Sequence, residues 1–297
     1  MSEIIGSVNS AFTLAFVVTS MFGLGLALTV RDLLAPLRNV RLLAAVLAIN
    51  FVLLPAIAWL LTRVLPLEAD LKTGLILMST VAGAPLAIKA SQIARGDPAL
   101  AGSLVTLQVV ATVVYLPGAL PFLIPGIAVD AVGIALPLFL QILLPLGMGL
   151  LMNARYDEEA EMTRPIMADI ANISLALMLV LNLGNVPRVL GLVGTGAFAG
   201  ALAVMLSGLA AGYLLGGPDR RVRKTLALTS AQRNYAAAFV LAQGSFGGQP
   251  AVFLMLLSAS LISTAVVLVV AGEFGRREKA AGYDAAESAH IGGQEKA

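Results

Sequence analysis

The chain has 297 residues, of which 59% are hydrophobic and 12% charged, with a formal net charge of +2 and no cysteine. A soluble domain could not hide that much apolar surface, and a disordered chain would carry far more charge, so both are excluded. Disulfides, thiolate metal sites and cysteine nucleophiles are excluded with the missing cysteine.

Apolar stretches repeatedly reach the roughly 20 residues that cross ~30 Å of hydrocarbon. The expected fold class is therefore all-α and polytopic, a multi-pass protein of a lipid bilayer with no nucleic-acid partner. Nine spans are predicted, near 8–30, 39–62, 71–94, 98–124, 129–153, 165–186, 190–216, 222–245 and 250–272. The opening MSEIIGSVNS lacks a basic n-region and a small-residue cleavage site, so the first apolar stretch reads as a span. Only ARGDP separates the third span from the fourth, and Asp97-Pro98 is a helix start. Beyond the single transmembrane domain, taken as 1–275, residues 276–297 are polar and small and contain the one histidine, His290; a mobile tail is expected there.

Basic residues sort the loops into two sets. Arg31, Arg38, Arg41, Arg95, Arg155, Arg164, Arg220, Arg221, Arg223, Lys224, Arg276, Arg277 and Lys279 fall on one side, against Arg63, Lys72 and Arg188 on the other. The positive-inside rule then places the C-terminus in the cytoplasm and the N-terminus outside, in an inner cell membrane. Trp59, the only tryptophan, sits near the outer end of its span as an interface anchor.

Two cations do not fit this sorting. Lys89 and Arg233 lie inside spans, where a charge costs about 2.5–3.5 kcal/mol at the membrane centre, and no acidic residue is placed to pair with them. Such residues face a bundle interior or a watery cavity and mark a functional site; the competing reading is that they snorkel or hold backbone carbonyls. Around Lys89 the sequence AGAP, with Gly83 and Pro85, predicts a break near 82–85 and a restart as LAIKASQIA. A half-helix restarting there would point the positive end of its dipole into the mid-membrane, as broken helices of secondary transporters do. Around Arg233 the run Thr229, Ser230, Gln232, Arg233, Asn234 and Tyr235, interrupted only by Ala231, is too polar to face lipid. No Gly or Pro marks a break in it.

These segments, with MFGLGLALTVRDL at 21–33, NFVLLPAIAWLL at 50–61, IARGDPAL at 93–100, LLPLGMGLL at 143–151 and RKTLALTSAQRN at 223–234, resemble the bile acid:sodium symporter family over nearly the whole chain. The resemblance implies an inverted-repeat core with two broken crossing helices, about 71–124 and 190–272, beside a panel formed by the remaining helices. By the same resemblance nine helices are expected, with the family's usual first helix not represented. It also implies where sodium would bind, and there the sequence departs. The family's Ser-Asn pair falls on Ala87 and Ile88, two hydroxyl ligands of the next helix on Ala101 and Val105, and the Glu and Gln of E-x-G-x-Q-N on Thr229 and Arg233. Only Asn50, in place of a Gln, and Asn234 keep amides. No cofactor is implied, and sodium, the family's coupling ion, loses most of its oxygen ligands.

The leading expectation is a secondary transporter of a small organic anion, a carboxylate, in which Lys89 and Arg233 stand where relatives bind sodium. Sodium symport as in the family, or a non-transporting anion-binding protein, are the alternatives. The site candidates are Lys89, Arg233, Asn234, Thr229, Gln232, Asn50, Ser230 and Gln92, with the break at Gly83 and Pro85; Gln108, Gln141, Asn172 and Asn182 are further cavity candidates. An enzyme is not expected: no H-E-x-x-H or G-x-S-x-G motif is present, and a Ser230–Lys89 dyad is a remote option. The small-residue run from Gly191 to Gly212 permits close helix packing, within the bundle or between copies.

Overall fold

The computed structural model describes residues 2–29, 31–32, 39–124, 131–181, 187, 191–244 and 249–294; Asn182, Arg38 and Arg188 lie outside them. Among the described residues helix is the only regular secondary structure, without strands. The helices are α1 (Ser2–Leu26), α2 (Val40–Val64), α3 (Ala69–Thr80), α4 (Leu86–Ile93), α5 (Pro98–Leu123), α6 (Ala131–Arg155), α7 (Asp157–Leu181), α8 (Ala197–Leu215), α9 (Arg220–Ala231), α10 (Tyr235–Gly244) and α11 (Pro250–Gln294). Six of these are long and apolar enough to cross a bilayer unaided: α1, α2, α5, α6, α8 and α11. The interrupted pairs α3/α4 and α9/α10, and α7, fall at the positions of the other three spans expected from the sequence.

Contacts between helix ends show which ends share a side. Lys224 at the start of α9 reaches the Ala94 carbonyl just after α4. Leu28, just after α1, borders Gly102 at the start of α5 and accepts from Asn153 near the end of α6. Leu65, after α2, borders Gly196 and Gly200 at the start of α8. These pairings agree with an alternating thread in which α3/α4 and α9/α10 run in opposite directions. The order of one whole helix, one broken helix and one whole helix occurs twice, as α2 to α5 and as α8 to α11, which is the inverted repeat.

Apolar side chains gain nothing from burial when the alternative is lipid, so close backbone approach carries the packing. In the first helical group α1 lies on α6 and α7. Gly25 and Gly149 meet there, and a Cβ on Gly25 would fall 2.3 Å from the Leu146 carbonyl oxygen. In the second group, α8 is pressed onto α9 through Gly208 and Gly212, where a Cβ would stand 2.6 Å from the Ser230 oxygen and 2.5 Å from the Leu226 oxygen. The small-residue run of α8 therefore serves packing within the bundle. The two groups touch where α10 meets α1 and α6, and where α5 meets α6.

Three features differ from the sequence expectations. The span at 39–62 was assigned to the panel, but α2 packs on α3, α5 and α8, because Asn50 and Phe51 turn inward, the latter with its ring 5.0 Å from that of Tyr115. The stretch 276–294 continues α11 as helix, which suits its Ala, Glu and Lys content. Lys224 anchors the start of this extension by an ion pair with Glu278. Finally, α2 and α6 each contain a π turn, Ile49–Leu53 and Phe139–Leu143, directly before Leu54-Pro55 and Leu144-Pro145. A proline lacks the N–H of the regular ladder, and a wider turn absorbs the mismatch.

Candidate anion site at the helix crossing

Both breaks are present. Between α3 and α4 the chain leaves the helix over Val81–Ala84, and between α9 and α10 it opens at Gln232–Asn234. They touch, since the Asn234 N–H donates to the Val81 carbonyl at 3.3 Å. Gly83 has φ +88°, and a Cβ there would lie 2.6 Å from both the Val105 oxygen and the Val109 nitrogen of α5, so only glycine fits. Thr112 of α5 holds the neighbouring residue twice, accepting from the Ala82 N–H at 3.0 Å and donating to the Ala82 carbonyl at 3.2 Å. Pro85 then opens α4. The second break, which no Gly or Pro announces, is held by side chains.

Arg233 is that holder. It is fully buried, and four of its five N–H groups donate to neutral oxygens. Nε donates to the Met78 carbonyl at 3.1 Å and Nη2 to the Ser79 carbonyl at 2.6 Å, both at the C-terminal end of α3. Nη1 donates to the Asn50 Oδ1 at 2.6 Å and to the Ser230 carbonyl, at the end of α9, at 3.3 Å. The last carbonyls of a helix lack intrahelical partners and carry its negative dipole end. One guanidinium therefore caps two half-helices at once, a task suited to a fork of five donors. Asn50 sits in the π turn of α2, where its Nδ2 donates to the Val46 carbonyl at 2.9 Å and to the Ser230 Oγ at 3.3 Å.

The other ends of the crossing are N-termini. Asn234 caps α10, its Oδ1 accepting from the Ala237 N–H at 3.2 Å, while its buried Nδ2 has no acceptor. Gln232 is buried and its Oε1 accepts from Ser263 of α11 at 3.2 Å. Thr229 turns back onto its own helix, donating to the Thr225 carbonyl at 2.9 Å. Gln108 of α5 is also buried, with neither amide atom partnered. Where the resemblance implies oxygen ligands, Ala87, Ala101 and Val105 present buried alkyl groups.

Lys89 is a correction. The sequence suggested a second buried cation, but Lys89 and Gln92 lie on the exposed face of α4, one turn and two turns into it. Among the described residues Lys89 has no hydrogen-bond or ion-pair partner. The physical reason is that α4 packs its Ala87, Ala90 and Ser91 face on α5, α9 and α11, which leaves 89 and 92 outward. Ile88 beside it and Leu28, just after α1, both border Gly102 of α5. Ser230 and Lys89 are thus not brought together as a dyad. Of the remaining amides, Gln141 is half-buried in the second π turn and Asn172 is exposed on α7.

Sequence reasoning named the side chains Arg233, Asn50, Asn234 and Ser230 but not their partners. The Met78 and Ser79 carbonyls and Thr112 carry no sequence signal of their own. The same holds for the fastening of α4 to α9 by Ser91 and Thr225, whose hydroxyls are 2.9 Å apart. A separate apolar cleft of about 470 Å³ between α5 and α6, lined by Val113, Pro117, Ala131, Val132, Ala135, Leu136 and Phe139, offers no polar group to a charged solute.

Comparison with known proteins agrees with this architecture. A family described as "Sodium Bile acid symporter family" matches residues 13–190. The chain is 25% identical over 244 residues to the "Probable sodium/metabolite cotransporter BASS1, chloroplastic" of Arabidopsis thaliana, covering 81% of this chain and 61% of the relative. It is 27% identical over 231 residues to the corresponding BASS2 of Oryza sativa subsp. japonica (76% of this chain, 55% of the relative) and 24% over 239 residues to BASS3 of Arabidopsis thaliana (78% and 56%). The chain thus spans between about half and three fifths of the length of these curated relatives. With a match over most of its length and a crossing of two broken helices at its centre, the chain belongs to the sodium bile acid symporter family.

Proposed function

We propose that this protein is a secondary transporter that moves a small organic anion of the carboxylate class by alternating access, without binding sodium. One observation carries the reading: the guanidinium of Arg233 occupies the place where the C-terminal ends of α3 and α9 converge. Each helix end is equivalent to roughly half a charge, so one arginine balances the two negative ends. The N-terminal ends of α4 and α10 remain, roughly half a positive charge each, with the unpartnered amide of Asn234 beside them. The complement of such a site is an anion, and a carboxylate also offers acceptors to that amide. Lys89 and Gln92, on the open face of α4, would guide the anion to it. The group of α1, α6 and α7 supplies the surface against which the core rocks. The protein would be multi-pass in the inner cell membrane with its N-terminus outside and its C-terminus cytoplasmic; enzymatic chemistry has no part in this reading.

A second reading, sodium-coupled symport, is favoured by the printed names of the relatives. It requires oxygen ligands that Ala87, Ala101 and Val105 do not supply. Uptake of a pooled set of labelled small carboxylates into proteoliposomes, with and without a sodium gradient, separates the two. The expected result is uptake that ignores sodium and falls about tenfold or more in Lys89→Ala and in Arg233→Gln. Sodium-driven uptake that survives both substitutions would overturn the proposal.

A further inference from the structure

Resting on that anion-transport reading, we infer that the carrier is an obligatory exchanger: its core changes sides only with an anion bound, so each anion taken up is matched by one released. A coupling cation that binds reversibly leaves with its cargo, and the empty site returns neutral. A cation that is part of the chain cannot leave. Arg233 is wholly buried, and among the described residues its charge meets neutral oxygens and no carboxylate. Nor can it swing out, because Gly208 brings α8 into backbone contact with Ser230 directly behind it and Asn50 holds it from α2. Loss of a proton offers no escape, since a guanidinium stays charged at physiological pH.

With the C-terminal ends of α3 and α9 already balanced, the empty core keeps about one unit of positive charge at the ends of α4 and α10. Occluding that site between two helical groups removes the water that screens it. An anion in the site cancels the charge, and the loaded core meets no such barrier.

The test compares uptake of the pooled labelled carboxylates into proteoliposomes that contain either the same unlabelled carboxylates or chloride, with the membrane potential clamped to zero. The charge penalty at a membrane centre corresponds to a rate ratio on the order of 100-fold in favour of the carboxylate-loaded vesicles. Arg233→Gln is expected to bring that ratio towards one, and the wild-type comparison stands alone should this variant not fold. Equal initial rates in both kinds of vesicle would overturn the exchange mechanism while leaving anion transport in place. Sodium-driven net uptake into chloride vesicles, or no carboxylate uptake under any gradient, would overturn exchange together with the transport reading beneath it.

Discussion

Replacing Arg233 by lysine keeps the charge and removes the fork. The guanidinium reaches Met78, Ser79, Asn50 and Ser230 through three nitrogens spread over a plane. An ammonium has three donors on one atom and cannot meet acceptors on α2, α3 and α9 at their present spacing. One or two buried carbonyls would lose their partner, at about 1–3 kcal/mol each, so a loss of roughly 2–4 kcal/mol is expected. For a chain of 297 residues that is a fall of roughly 3–6 °C in the midpoint of thermal unfolding, read in detergent for wild type and variant side by side. A midpoint within about 1 °C of wild type would refute the claim that one guanidinium ties the two breaks together.

Other substitutions probe separate parts of the account. Gly83→Ala forces a side chain to φ +88° and into the backbone of α5; about 2–4 kcal/mol of destabilisation and loss of transport are expected, and a variant with normal unfolding and uptake would contradict the described break. Arg233→Ala leaves four neutral oxygens facing one space, so sodium should raise the unfolding midpoint of that variant relative to choline and leave wild type unchanged; equal responses would count against the stand-in role of Arg233. Lys89→Ala touches no partner and should shift unfolding by less than about 0.5 kcal/mol while reducing uptake; a large loss of stability would show that its side chain is not free. Because the chain has no native cysteine, single substitutions report accessibility cleanly. Gln92→Cys should react with a membrane-impermeant maleimide and Ser230→Cys should not, and the reverse pattern would contradict the exposure described for α4 and α9.

Periodicity and charge carried the passes, because crossing a bilayer demands long apolar helices and leaves basic residues in the loops. The first break was legible for the same local reason: Gly83 and Pro85 are residues that a continuous helix does not favour. The second break was legible only as polarity, since what opens the chain at Gln232–Asn234 is a set of hydrogen bonds from Arg233 to residues 154 and 155 positions away. Backbone carbonyls have no letter in a sequence, so the partners of Arg233 could not be read from it. Lys89 shows the opposite failure. An in-span lysine looks buried when depth is counted along the chain, yet a short half-helix packed on one face leaves its other face open.

The central claim is that a fixed cation replaces bound sodium at the crossing. Its most direct test is carboxylate uptake by wild-type proteoliposomes loaded with unlabelled carboxylate, measured in sodium and in choline at a clamped membrane potential. The account requires equal rates in the two media and their collapse in Arg233→Gln. Uptake that depends on sodium and persists in the variant would mean that Arg233 is structural and that the ion site lies elsewhere.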